Sequence, residues 1–286
     1  MDNDWINRLP LRDIRQITHV GGGDVNQAYR IDTDKKSYFL LVQPDHPQSF
    51  YAGEIAGLKA FKEADIMAPR VIASGQINED AYLLLNYLER GTGKQSDLGR
   101  LVAHLHHHES HNGRFGFDYP YSGSSISFTN DWTNSWTELF VHRRLDMLAS
   151  LLQKKHLWTS HDVTLYEKSR DIIVSELVRH PSKPVLLHGD LWGGNYIFLT
   201  DGSPALIDPA AVYGDRELDI GVTMVFGGFT PEFYRAYAAA YPFDNGYEKR
   251  LAFYQLYYLM VHLNKFGLSY AGSVSATMSR IISENE

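Results

Sequence analysis

Residues 186–198 read LLHGDLWGGNYIF. Between two apolar runs this stretch sets His188, Asp190 and Asn195, with Trp192 and three glycines as filling. Asp208 follows in the segment IDPA, 207–210. Phosphoryl transfer to a hydroxyl asks for little covalent help from a protein. It needs one carboxylate to orient the attacking hydroxyl and accept its proton, and oxygen ligands for the magnesium that bridges the phosphates. Asp190 suits the first task, and Asn195 with Asp208 the second. His188 would brace the loop through side-chain hydrogen bonds.

Two further groups fit the same chemistry. The turn GGGDVN, 21–26, lets backbone N–H groups approach a phosphate with no Cβ in the way, which makes Gly22, Gly23 and Asn26 candidate nucleotide contacts. No Gly-Lys-Ser/Thr follows, so it is not a Walker A loop. Nor is it a dinucleotide fingerprint, because Asn26 stands at the third glycine and a strand follows where a helix is required. A glycine-rich turn between antiparallel strands is a protein-kinase arrangement, and so is Asp, four residues, Asn, then strand–turn–strand ending in Asp. Glu54, on a segment with helical spacing of Ile55, Leu58 and Phe61, stands where a kinase-like fold keeps a helix acid.

The elements that must position these residues change in character along the chain. Short β-prone runs at 17–20, 26–31 and 37–43, broken by Gly- or Asp-rich turns, predict consecutive antiparallel strands. A helix over 50–64 and two more strands complete residues 1–88. From 89 the pattern is helical: LGRLVAHLHHH, N-capped by Ser96 or Asp97, then 131–156, 162–180, RELDIGVTMVF, PEFYRAYAAAY and an aromatic-rich helix ending at Phe266. The tyrosines and phenylalanines of that last helix suit a core or a dimer contact. Short strands YIFL and PALID flank an Asp-Gly turn at 201–202. The expected fold class is α+β: a small β-rich lobe, 1–88, a short connector, and a helical lobe, 89–286, carrying the catalytic loop and the metal-binding Asp.

Composition narrows the partners. With a net charge of −7 and no cysteine, the chain suits neither a general nucleic-acid binder nor a disulfide or thiol-metal scaffold. The acidic start MDNDWINRLP has no signal-peptide pattern, and no apolar run reaches membrane-spanning length. A cytoplasmic protein that binds neither nucleic acid nor membrane is expected, as a monomer or homodimer. The histidines of HLHHHESH, 104–111, include pairs four apart, His104/His108 and His107/His111. They permit a metal, but a helix end favoured by the dipole is the simpler reading.

HGDLWGGN, IDPA and YGDRELDI, 213–220, closely resemble the fructosamine kinase (ketosamine-3-kinase) family, related to the aminoglycoside and choline kinases. GGGDVNQAYRI and NDWTNSWTELFVHRRL, 130–145, fit the same family, and the likeness covers about residues 14–270. The resemblance implies a protein-kinase-like two-lobed fold and ATP- and Mg2+-dependent phosphorylation of a sugar hydroxyl on a ribulosamine or fructosamine, free or protein-bound. The product sheds its sugar, which makes the role deglycation repair. It further implies that Asn86 and Leu88 offer hinge backbone groups to adenine, that Trp192 stacks on the sugar-amine or else braces the loop, and that Asp219 ties the catalytic loop down while Asp215 caps the next helix.

One position departs from the family pattern. The third strand reads Phe39-Leu40-Leu41-Val42, with Leu41 where the phosphate-contacting lysine belongs. That lysine would neutralise phosphate charge and pair with Glu54. Arg30, on the same strand face as Ala28, and Lys35 or Lys36 are substitutes to consider. Two other readings therefore stand beside the ketosamine kinase: a nucleotide-binding pseudokinase with impaired turnover, and a kinase for another small hydroxyl acceptor of the aminoglycoside or choline kind.

Overall fold

A computed structural model describes residues 2–21, 27–123 and 126–285. The candidate phosphate contacts Gly22, Gly23 and Asn26 lie outside the described residues. After a short helix α1 (Asn3–Asn7) come strands β1 (Ile14–Val20), β2 (Gln27–Thr33) and β3 (Ser37–Gln43), helix α2 (Ala52–Glu63), then β4 (Val71–Ile77) and β5 (Asp80–Asn86). The five strands form one sheet in the order β1-β2-β3-β5-β4, with every pairing antiparallel.

Alternation along the strands sorts the side chains between two faces. Ile31, Leu40, Val42 and Leu84 pack on one side with Trp5 and Leu9. Ala28, Leu41, Leu83 and Leu85 pack on the other with Leu58 and Phe61 of α2. In register, Ala28 faces Leu41 and Leu41 faces Leu83. Leu41 is thus one of a row of apolar residues beneath α2.

The rest of the chain is mostly helical. It runs through α3 (Gln95–His106), a two-residue ladder of β6 (Tyr121–Ser122) and β7 (Ser127–Phe128), a π-helical segment Glu138–Leu145, α4 (Asp146–Lys154) and α5 (Ser160–Arg179). Strands β8 (Val185–Leu187), β9 (Tyr196–Phe198), β10 (Pro204–Leu206) and β11 (Val212–Gly214) precede α6 (Glu217–Thr223), α7 (Pro231–Ala240), α8 (Tyr247–Phe266) and α9 (Ala271–Ser283). The aromatic residues of α8 are largely core: Phe253, Tyr254 and Tyr257 are buried with Trp136 and Phe140.

Several helices differ from the sequence expectation. α3 starts at Gln95 with Ser96 and Asp97 inside its first turn rather than at its cap. Gln95 Nε2 donates to the Tyr196 hydroxyl (2.8 Å) and the Gly228 carbonyl (3.2 Å), which fixes the chain one residue earlier. α5 starts at Ser160 because Thr159 and Asp162 form a reciprocal capping box. The helix expected over 131–156 is π-helical in its middle, where Arg144 is buried against Asn130 and the Phe128 ring. The helix expected to reach Phe226 ends at Thr223, and Gly227 and Gly228 follow it in left-handed conformations (φ +74° and +91°).

Candidate active site

The loop 188–195 leaves β8 and enters the β9–β10 hairpin, and buried hydrogen bonds hold it at its start. Asp219, in the first turn of α6, is fully buried and accepts from three N–H groups. These are His188 N (2.7 Å), Gly189 N (2.9 Å) and His106 Nε2 (3.1 Å). The other nitrogen of His106 bonds the Tyr237 hydroxyl at 2.8 Å, which links α3 and α7 to the loop. His188 is buried as well. Its Nε2–H donates to the Ile207 carbonyl (2.9 Å), and its Nδ1 accepts from Asp190 N (3.3 Å). Burial pushes the His188 ring below the usual histidine range, so it works as a neutral strut. Gly189 has φ +80°, and a Cβ there would lie 2.0 Å from the Ala210 carbonyl. Only glycine lets the loop approach 208–210 so closely.

Asp190 sits beyond that strut, half-buried. Asn195 Nδ2 donates both to its backbone carbonyl (2.8 Å) and to its carboxylate Oδ2 (3.2 Å), and the Tyr258 hydroxyl donates to Oδ1. Burial first, and then the charge of Asp208, push the Asp190 carboxyl up to about 7, against the opposing pull of the Asn195 amide. Both contacts to Asp190 use Nδ2, and among the described residues no donor is seen on Asn195 Oδ1. Asp208 follows β10 in the left-handed region (φ +54°), a conformation aspartate tolerates better than most residues. The bond from Ile207 N to the Asn195 carbonyl (3.0 Å) holds the Asp208 segment beside the loop. An amide oxygen and an exposed carboxylate are the hard oxygen donors that magnesium prefers, so these residues fit that ion.

A family model described as Fructosamine kinase matches residues 3–284. The chain belongs to the fructosamine kinase family. A curated protein of Staphylococcus aureus named "Probable ketoamine kinase" is 56% identical over 285 residues, 99% of each chain. The crystal structure of a "Putative fructosamine-3-kinase" from Haemophilus somnus superposes with TM-score 0.84 at 27% identity, over 94% of this chain and 92% of that one. The ADP-bound aminoglycoside phosphotransferase APH(2'')-Ib, at 18% identity, shares the fold with TM-score 0.67, over 99% of each chain. The fold is therefore kinase-like. By family the chain is a phosphotransferase with an alcohol acceptor.

Against that family pattern the lysine position stands out. Leu41 is only 8% exposed and lies in the apolar row under α2. Glu54, half-buried on the first turn of α2, is brought to Asp208 by a close helix contact. A Cβ on Gly57 would lie 3.0 Å from the Ala211 side chain and 3.4 Å from Pro209. Burial and the charge of Asp208 push the Glu54 carboxyl up to about 8. The two carboxylates repel each other where the family pattern would supply a lysine between them and the nucleotide.

The substitutes considered are engaged elsewhere. Arg30, in the middle of β2, bonds Asp32 (2.8 Å) and Glu89 (3.0 Å) and lies over the Tyr87 ring. Lys36 lies over Tyr38 at the start of β3, and Lys35 is exposed on the β2–β3 turn. Asn86 closes β5, and its side chain accepts from Arg70 N (2.5 Å). Leu88 follows in the connector to α3, half-buried. Trp192 is 40% exposed, with its ring laid over Gly194, where a Cβ would meet ring carbons at 2.2 Å. Asp215 accepts from Glu217 N (2.9 Å) in the first turn of α6.

Among the described residues the histidine run 104–111 does not gather three ligand groups, whereas His180, Glu217 and Asp244 do. His104 and His108 meet edge-on at 5.0 Å, but His107 stacks on Tyr241, His111 meets Trp132 edge-on and His106 is committed to Asp219, so the rest of the run points to other partners. His180, Glu217 and Asp244 do converge, but Arg250 holds both Glu217 oxygens (2.7 and 2.8 Å) and supplies the counter-charge. Sequence reasoning missed Tyr258 as a partner of Asp190, 68 residues away. Its place in an aromatic core helix gives no separate signal.

Proposed function

We propose that the chain transfers the γ-phosphoryl group of ATP to a sugar hydroxyl of a ketosamine, a ribulosamine or fructosamine adduct. Asp190 is the base: its carboxylate takes the proton of the acceptor hydroxyl as the new O–P bond forms and ADP departs with the bridging oxygen. Asn195 Oδ1 and Asp208 would hold Mg2+, which when bound neutralises charge on the phosphates. The observation that carries this reading is the Asn195–Asp190 pair. One amide fixes the base through Nδ2 and keeps its oxygen for a cation. The carboxyl raised to about 7 has the proton affinity of a working base near neutral pH.

Asp219 and His188 position the loop. Gly22, Gly23 and Asn26 would face the phosphates, Glu54 the nucleotide side, Asn86 and Leu88 the adenine, and Trp192 the sugar-amine. Loss of the sugar from the phosphorylated product would make the role deglycation in the cytoplasm. No helix among the described residues is long and apolar enough to cross a membrane.

The buried Leu41 favours a second reading, a nucleotide-binding pseudokinase. ADP release from Mg-ATP with ribulose-lysine or fructose-lysine, measured on this chain, Leu41→Lys and Asp190→Ala, decides between them. Turnover by this chain that Asp190→Ala abolishes supports the kinase. Turnover by Leu41→Lys alone makes the natural chain a nucleotide binder. Turnover by none of the three sinks the ketosamine assignment.

A further inference from the structure

Two carboxylates at the start of α6, Asp215 and Glu217, are buried almost completely. Arg250 of α8 donates to both Glu217 oxygens, a bidentate geometry that calls for the ionised carboxylate. Asp215 has neutral donors instead. Its Oδ1 accepts from Glu217 N (2.9 Å) and its Oδ2 from the Tyr254 hydroxyl (3.0 Å). Among the described residues no Lys or Arg forms an ion pair with Asp215, and a buried charge needs a partner.

His180, at the C-terminal end of α5, supplies it. The side chain is 9% exposed, and Nε2 lies 3.5 Å from Asp215 Oδ2 and 3.9 Å from Glu217 Oε1. Ionised carboxylates only accept, so Nε2 carries a proton. The bond to Asp215 first, and then the charges of Asp215 and Glu217, push the ring up from 6.5 against burial and Arg250. The remaining charges about the ring are matched in pairs. Glu176 and Arg179, which line the same cavity of about 350 Å³, bond each other at 2.5 Å on α5. Asp244, from the connection into α8, has an oxygen within 4.8 Å of the ring nitrogen and meets Arg216 at 3.5 Å.

A metal ion is the other cation that His180, Glu217 and Asp244 invite. One positive charge completes the buried set, however, and a divalent ion would add a second beside Arg250. The proton fits the charge balance better.

We propose that protonated His180 is a pH-sensitive latch on the catalytic loop: it pins the first turn of α6 through Asp215 and Glu217, and that turn holds the loop through Asp219. Asp219 lies two residues beyond Glu217 and accepts from His188 N and Gly189 N. When the ring gives up its proton, two buried carboxylates share one guanidinium and repel each other. The first turn of α6 then relaxes, and Asp219 loosens its hold on the two amides. Because folding raises the ring's proton affinity, the latch stabilises the chain fully below about 6.5 and is lost as pH rises through the higher folded-state value. It acts on the loop whatever acceptor the site takes.

The test is an NMR titration of the His180 ring, joined to amide hydrogen exchange of His188 and Gly189 at pH 6 and pH 9, corrected for intrinsic rate. In the natural chain the ring should titrate above 6.5, and protection of the two amides should fall by on the order of tenfold between those pH values. His180→Lys stays charged throughout and should keep the protection at both. His180→Gln should show the loosened value at both, and Asp215→Asn should lower the midpoint of the ring. A natural ring that titrates at or below 6.5 overturns the latch, and this reading needs no variant to fold. Protection that falls as far in His180→Lys as in the natural chain also overturns it. So does a rise in Tm on adding Zn2+ that His180→Gln abolishes, which would make the cluster a metal site.

Discussion

The Tyr258 hydroxyl donates a hydrogen bond to Oδ1 of Asp190, while Asn195 Nδ2 holds Oδ2 from the other side. The carboxylate is therefore clamped by one donor from α8 and one from its own loop, and its lone pairs have a fixed direction. Removing the hydroxyl leaves the tyrosine ring in its packing against Phe226 and His262. Tyr258→Phe should lower kcat by about tenfold or more, the value of one hydrogen bond to a charged group, with KM for ATP nearly unchanged. Steady-state kinetics on both substrates check this. An unchanged kcat would mean that Asn195 alone orients the base.

Protonation of the same carboxylate sets a pH dependence. Asp190 must be ionised to accept a proton, and its burial beside Asp208 holds it at about 7. In the metal-free enzyme, NMR titration of Asp190 should therefore show a midpoint near 7. The acid limb of kcat/KM should fall tenfold per pH unit below its midpoint. A cation on Asp208 cancels part of the repulsion, so raising Mg2+ should move that midpoint to lower pH. A limb that ignores Mg2+ would separate Asp190 from Asp208 electrostatically.

The loop was legible in the sequence because its polar residues are local. His188, Asp190 and Asn195 lie within eight residues, and Asp208 returns on a hairpin whose Asp-Gly turn could be read directly. The strands of the sheet could be read from short β-prone runs broken by Gly- or Asp-rich turns, and α2 from the spacing of Ile55, Leu58 and Phe61. What escaped depends on tertiary contact. Tyr258 reaches Asp190 only because α8 crosses the loop, and Gly57 matters only because α2 meets Pro209 and Ala211. Gln95 moved the start of α3 through partners more than a hundred residues away. No period or turn signal carries such information.

Acid stability should bear the mark of His262. Its folded-state value is about 4, against 6.5 for an unperturbed ring, so between those values the unfolded chain binds a proton that the native chain refuses. The stabilisation is complete above about 6.5 and is lost as pH falls towards 4. His262→Gln cannot take up that proton. The drop in Tm between pH 7.5 and pH 5 should be smaller in the variant than in the natural chain, as read by calorimetry or circular dichroism. Equal drops would place the ring in water and contradict its contacts with Phe226 and Tyr270.

Leu41→Lys tests whether the nucleotide side of the site still has room for the charge it lacks. The new stem would replace an apolar side chain in the row under α2, which by itself costs stability because a buried ammonium needs a partner. Glu54 is the partner at hand: it is held up at about 8 by burial and by Asp208, and a nearby cation would lower it and relieve that repulsion. The expected outcome is a folded variant with KM for ATP reduced by on the order of tenfold, since a lysine ammonium adds a charge-assisted contact to the phosphates. In Leu41→Lys combined with Glu54→Gln the partner is gone. The double-mutant cycle should then show a coupling of about 1–3 kcal/mol in unfolding free energy. If the cycle closes to zero, the lysine does not meet Glu54. If KM for ATP is unmoved as well, the phosphates do not pass beneath β3, and the nucleotide side of the site must be redrawn.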